Sequence, residues 1–549
     1  MSISKLWREV TNNLVLALSD KTKIIFYLII SFLVRLYLLI FQNNIGSDGV
    51  WYATLGRNLI SGKGYINQLG EIDLQYTPFY PITIGLASIF IKDIELAARL
   101  ISLIFGTLLV LPIFFLGKNF YEKKTGHIAT ILIIFYPVLC QYSVFVLTES
   151  IYTFFFILSI LLGWYCIITE KIRYPILVGL LFGICTLTRP EGVIYFLIFF
   201  VTFFFFKYKK LYFKKMLSGA FLMVLIFSLT ILPYVVFVHS KTGKWALGKK
   251  SSMVSYISKT MMNDKYGYEK SHFAISGNGV DLNLFNEDIS FFCCFWSDHK
   301  RIFKFYFSNI YTMYRKYIFE MIPLILLIPL GIGLLQVYWN RDDLKKNIYL
   351  FSFMIPPVFV YPLFLIHSRR FVPFIPIIIL LIARGIVFIH YRVSKSLKRC
   401  NFYKNSSYVE KLIAKGIVAM FVLVILPQTI AKKNIDDPNY KKLGTLLKNN
   451  VHKQSALMAR QPYISFYSDT RFVHFPYDED YEKVFKYAEY HGVNYLVLDY
   501  NLLAFREHLS YLRDWYNERN LPSELKLIMK YGDNPTKKIL IYEFLPHDK

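Results

Sequence analysis

The feature that most limits what this chain can fold into is a series of apolar runs, each about as long as a bilayer core is thick. Residues 26–41 (FYLIISFLVRLYLLIF), 154–168 (FFFILSILLGWYCII) and 321–339 (MIPLILLIPLGIGLLQVYW) are the clearest. About 20 apolar residues in a helix cross the hydrocarbon layer. In that layer every backbone polar group must be paired within its own segment, which favours helices. Of 549 residues, 55% are hydrophobic, a share above that of soluble domains. The expected fold is a polytopic α-helical membrane protein with about 11 transmembrane helices.

The basic residues set the orientation. Net charge is +26, which in a soluble chain would suggest nucleic acid. Here Lys and Arg cluster in short loops between apolar runs, the positive-inside pattern, so no nucleic-acid partner is expected. Lys5, Arg8, Lys21 and Lys23 precede the first run and place the N-terminus in the cytoplasm. Spans are expected at 24–41, 96–117, 127–146, 151–168, 174–187, 193–206, 216–238, 318–339, 347–366, 371–391 and 412–430. Residues 78–92 read as an outer juxtamembrane or re-entrant helix. Basic loops at Lys118–Lys124, 171–173, 207–215, 341–346 and 392–399 then fall inside. A long first outer loop, a mixed aromatic segment at 239–317 and the C-terminal part fall outside.

Residues 1–430 therefore read as a membrane domain and 431–549 as a small extracytoplasmic α/β domain. In the latter, 455–459, 495–500 and 537–545 have strand character, and 478–492 reads as a helix ending at a glycine. The six cysteines (Cys140, Cys166, Cys185, Cys293, Cys294 and Cys400) show no ligand spacing. No cleavage site follows the first span, which is expected to remain as an anchor.

The first loop, residues 42–81, is long, and its carboxylate Asp48 lies just beyond the lipid boundary. Asp48 suits a helix cap, and it equally suits a general base for an acceptor hydroxyl. On this topology Glu149, Arg189, Glu191, His367, Arg369 and Arg370 share its face. An ionisable group near membrane depth is costly and marks function by default. Glu149 reads as a helix start or as a second carboxylate that orients the acceptor. A divalent cation held by Asp48 and Glu149 is a further reading, although two oxygen ligands do not specify a metal. Arg189 and Glu191 flank Pro190 as an ion pair at a helix break or as part of the site. Arg369 and Arg370 either snorkel or bind phosphate, for which a planar guanidinium is suited. Lys63 is a weaker phosphate candidate, and Tyr76 and Tyr80 of the closing YTPFYP run are candidates for substrate contact.

Asp48, NLISGKGY (58–65), YTPFYP (76–81), LTES (147–150), LTRPEG (187–192) and HSRRFVPFIP (367–376) together resemble the GT-C superfamily of membrane glycosyltransferases, of the protein-mannosyltransferase and aminoarabinose-transferase kind. The resemblance covers about residues 20–430. It implies a sugar passed from a polyprenyl phosphate to an acceptor at the outer face of the plasma membrane. It also implies Asp48 as base and Glu149 in the same cavity. Many members carry Asp-Glu in the first loop where this chain has Asp48-Gly49, which removes the second carboxylate. A direct displacement would invert the anomeric configuration. The acceptor is a lipid, a glycan or a protein. The competing classes are a transporter or flippase of a lipid-linked substrate, which predicts inverted repeats, and a non-catalytic membrane subunit, which would tolerate loss of Asp48.

Overall fold

The computed structural model describes residues 3–42, 44–207, 213–249, 267–277, 279–282, 299–336, 341–364, 366–399, 407–431, 439–452, 455–532, 534 and 537–545. Cys293, Cys294 and Cys400, and much of the 239–317 segment, lie outside these residues.

The first eleven helices are α1 (Ile3–Ile40), α2 (Ser47–Ile60), α3 (Phe79–Ser88), α4 (Ile94–Leu108), α5 (Val110–Phe120), α6 (Lys123–Phe135), α7 (Pro137–Tyr142), α8 (Glu149–Ile168), α9 (Arg173–Thr188), α10 (Gly192–Lys207) and α11 (Phe213–Thr242). Among the described residues, six helical stretches are long and apolar enough to cross a membrane: Asp20–Ile40, Ile94–Phe120, Glu149–Ile168, Phe213–Thr242, Ser368–Arg399 and Leu412–Ile430. The bent pair His299–Met321 and Leu324–Leu335 makes a seventh if counted as one span. The helices α3, α9 and α10 are apolar but shorter.

Local chemistry explains where the expected spans are interrupted. Residues 127–146 do not form one helix, because Tyr136 precedes a proline and is driven to extended backbone (φ −75°, ψ 118°), which ends α6. Residues 347–366 likewise break up. The helix Arg341–Ser352 gives way to a π turn at Pro356–Val360 and a 3-10 turn at Tyr361–Leu363. Pro356, Pro357 and Pro362 remove three helical donors there. The helices His299–Met321 and Leu324–Leu335 are bent by 99° at the break that holds Pro323.

Burial separates lipid-facing from inner spans. α8 is apolar all round and packs among α4, α5, α9 and α10. The Ser368–Arg399 stretch is 78% buried, against 17% for Asp20–Ile40. It crosses Leu327–Leu335 backbone to backbone. A Cβ at Gly385 would stand 1.8 Å from the Pro329 carbonyl oxygen, and one at Gly333 would stand 2.0 Å from that of Leu381. Small residues permit such an approach in membranes. Gly385→Ala is therefore expected to force the helices apart and destabilise by about 1–3 kcal/mol. Thermal unfolding in detergent reads this, and an unchanged midpoint would refute it.

Beyond the last span lies a five-stranded sheet of order β2-β1-β3-β5-β4. Its strands are β1 (Ala456–Ala459), β2 (Arg471–His474), β3 (Val493–Asp499), β4 (Leu525–Tyr531) and β5 (Ile539–Phe544). β1 runs parallel to β2 and β3, while β5 runs antiparallel to β3 and β4. One core holds Trp515, Phe485 and Leu496. A second core is shared with the first loop, joining Leu457, Phe472 and Ile541 to Val50, Tyr52 and Tyr80. The helix Gly267–Phe273 is pinned to this unit by Glu269, which pairs with Arg506 at 3.0 Å and Arg460 at 2.8 Å.

Two histidines of this region, His272 and His474, are pushed down to about 3 by burial. The folded protein keeps both neutral, whereas the unfolded chain protonates them near pH 6.5, roughly the free value. Their contribution is thus complete above about pH 6.5 and is lost as pH falls from there toward 3. The urea midpoint followed by Trp fluorescence should be lower at pH 5 than at pH 7. His474→Phe should weaken that dependence, and equal midpoints would contradict the reading.

Candidate active site

α2 begins immediately after the first span, with Gly46 as its N-cap and no side-chain cap bond. Asp48 is thus not the cap but a first-turn residue, where the helix N-terminus favours a negative charge. Its Oδ1 accepts the Tyr76 hydroxyl at 3.1 Å, and its Oδ2 accepts Arg369 Nη1 at 2.5 Å. Tyr76 is itself held in place. Asp73 accepts its N–H at 2.8 Å, and the Tyr65 hydroxyl donates to its carbonyl at 2.9 Å. Burial, followed by the charge of Asp48, raises the Tyr76 hydroxyl well above its ordinary value, so it stays protonated as a donor.

Glu149 opens α8 and is 2% exposed. Its Oε1 lies 3.4 Å from Arg189 Nη1 and 4.0 Å from Arg369 Nε. Arg189 ends α9, pairs with Glu191 at 2.8 Å and covers the Tyr152 ring at 5.5 Å. Burial opposes its charge, but Glu191 and Glu149 outweigh burial and hold it firmly protonated. Thr77 donates to the Thr188 carbonyl at 2.7 Å and so ties the YTPFYP run to this break. Asp48, Glu149, Glu191, Arg189 and Arg369 form one alternating charge chain. The cation standing between Asp48 and Glu149 is the Arg369 guanidinium. Among the described residues no three His, Cys, Asp or Glu side chains converge as metal ligands.

The other candidates fall around this chain of charges. Arg370 is partly buried within electrostatic reach of Glu191, Arg189 and Tyr361. His367 acts as the N-cap of the 3-10 turn Ser368–Phe374, its ring accepting the Arg369 N–H at 3.4 Å. Tyr80 is fully buried and its hydroxyl bonds Ser102 at 2.8 Å, away from Asp48. Lys63 is exposed and, among the described residues, forms no ion pair with the cluster. A cavity of about 310 Å³ is lined by Phe371, two residues past Arg369, together with Tyr317, Met321, Leu330, Phe374 and Ile378.

The sequence profile of the dolichyl-phosphate-mannose-protein mannosyltransferase family matches residues 76–237. Among curated proteins, none matches the chain by sequence. Several solved structures match in fold. ArnT from Cupriavidus metallidurans in the apo state has a TM-score of 0.57 at 9% identity, covering 96% of this chain and 98% of that one. The same protein bound to undecaprenyl phosphate has a TM-score of 0.53 at 11% identity, covering 95% and 98%. Archaeal oligosaccharyltransferase AglB from Archaeoglobus fulgidus, in complex with an inhibitory peptide and a dolichol-phosphate, has 0.55 at 13%, covering 96% and 74%. The chain has the GT-C fold.

The position after Asp48 is closed to a side chain. A Cβ at Gly49 would meet Ile45 Cγ1 at 2.7 Å and the Val146 carbonyl oxygen at 3.0 Å. The loop before Glu149 thus packs directly on the backbone after Asp48. Gly49→Ala is expected to displace one loop from the other and to destabilise by about 1–3 kcal/mol. Thermal unfolding in detergent checks this, and an unchanged midpoint would sink it.

Tyr52, Arg35 and Arg99 are among the buried polar groups that escaped the sequence reading. Tyr52 is 4% exposed and stands one helical turn from Asp48, a spacing visible in SDGVWY. Arg35 is 0% exposed in the first span and bonds Ser31 Oγ at 2.7 Å. Arg99, in AARLISLIF, is 4% exposed. Both arginines carried a usable signal, since each is a lone charge inside an apolar run.

Proposed function

We propose that this integral membrane protein is a glycosyltransferase that moves a sugar from a polyprenyl phosphate to an acceptor hydroxyl at the extracytoplasmic face. The observation that carries the reading is the Asp48–Arg369–Glu149–Arg189 chain, with an apolar cavity lined by Phe371 two residues along from Arg369. A carboxylate base, guanidinium groups and an apolar slot are what a lipid-phosphate sugar requires. The donor's phosphate is drawn to Arg369 and Arg370, and its lipid tail enters the cavity. As the phosphate recruits Arg369, Asp48 is released toward the acceptor. Asp48 takes the hydroxyl proton while that oxygen attacks the anomeric carbon. The bond to the phosphate oxygen breaks on the opposite side, the configuration inverts, and polyprenyl phosphate leaves with its charge met by the arginines. Glu149 keeps Arg189 and Arg369 in register. Residues 1–430 carry this chemistry, and residues 431–549 form an outer domain that rests on the first loop.

The reading also agrees with the lipid phosphates present in the ArnT and AglB structures. The test is sugar transfer by the purified protein from dolichyl- and undecaprenyl-phosphate hexoses and pentoses, following release of the lipid phosphate. Release together with a new glycosidic bond is the expected result. No turnover of any donor with lipid, glycan and peptide acceptors would overturn it.

A further inference from the structure

Arg99 lies outside the charge chain, yet it holds both loops that lead into it. Its Nη2 donates to the Asn44 carbonyl at 2.6 Å, and its Nη1 donates to the Val144 carbonyl at 3.3 Å. Asn44 precedes Asp48 by four residues, and Val144 precedes Glu149 by five. Glu95 aims the guanidinium, accepting Arg99 Nε at 3.0 Å. The other Glu95 oxygen faces the C-terminal unit. It accepts Lys441 Nζ at 2.9 Å and the Tyr467 hydroxyl at 3.1 Å. Tyr467 closes the circuit, because its oxygen accepts the Ile45 N–H at 3.1 Å.

We propose that Arg99, Glu95 and Tyr467 are positioning residues through which the C-terminal unit sets the spacing of Asp48 and Glu149. The proposal rests on the glycosyltransferase reading for its chemistry but not for its structure. A planar fork can serve two carbonyls from two loops at once, which the point charge of a lysine does not do. Glu95 and Arg99 are 5% and 4% exposed, so a released carbonyl or carboxylate there has little water to turn to. The packing of Gly49 on Val146 transmits any shift of one loop to the other. The domain after the last span would thus act as the outer support of the catalytic pair. Its sheet shares a core with α2 through Leu457 and Phe472.

The test uses the full chain in detergent with Tyr467→Phe and, separately, Arg99→Lys. Hydrogen exchange over residues 44–50 and 144–150 is read first. Both segments should lose protection by about tenfold in each variant, with residues 455–474 unchanged. In transfer, kcat should fall about tenfold with donor KM held within about twofold, since the donor's own contacts are intact. Unchanged protection in either loop, loss of protection throughout the chain, or a raised KM at constant kcat would each overturn the proposal. If wild type transfers no sugar, exchange still decides the support, and that failure belongs to the functional reading.

Discussion

Asp48→Asn should lower kcat for sugar transfer by about 100- to 10,000-fold, the range a positioned general base contributes. The amide keeps the size of the side chain and can still accept the Tyr76 hydroxyl, so the first loop should hold its shape. It removes the proton acceptor and the charge that meets Arg369 at 2.5 Å. Arg369 is about one-third exposed, so water and Glu149 can compensate it, and stability should change little. Donor binding should persist or tighten, because Arg369 is then freer to meet the phosphate. Transfer rate and donor Kd measured side by side decide the matter. A wild-type rate in the variant would move the base elsewhere, with Glu149 the next candidate.

Arg189→Met should give the largest loss of stability of any single change near the site, about 3–5 kcal/mol. The arginine is 6% exposed and serves Glu149 and Glu191 together. Removing it leaves Glu149, itself 2% exposed, with Arg369 Nε at 4.0 Å as its remaining cation among the described residues. It also removes the cation resting on Tyr152 at 5.5 Å. Adding Glu149→Gln to Arg189→Met should recover part of the loss, because the amide carries no charge to desolvate. Thermal unfolding in detergent reads both. If the single variant melts with wild type, or the double melts below the single, the pair is not what holds the Thr188-Arg189-Pro190 break.

The membrane character and the outline of the site were legible because they depend on local chemistry. Apolar length marks spans such as Glu149–Ile168, and beyond residue 455 the reading reached β1, β3, β5 and the helix Tyr481–Tyr490 but not the strands Arg471–His474 and Leu525–Tyr531. The carboxylates and arginines at span ends stood out because a charge in that setting must be explained. The span count was less legible. Hydropathy windows do not register the proline-driven breaks at Tyr136-Pro137 and across Pro356–Pro362, where apolar composition continues through an interrupted helix. Tyr80 bonds Ser102 and His367 caps a turn, two partnerships that sequence neighbourhood did not indicate.

By itself, the sequence determined that this chain lives in a bilayer as helices, which way its basic loops bias it, and which few charges stand at span ends. Those follow from transfer free energies and residue counts along one line of chain. Only the tertiary structure decided which charge meets which. Asp48 and Arg369 are separated by most of the chain, and Glu95 meets Tyr467 across a similar distance. Such pairs depend on how whole helices dock, and docking is set by close packing at places such as Gly385 on Pro329 and Gly49 on Val146. No local propensity encodes those contacts, so the separation of the two carboxylates became visible only in three dimensions.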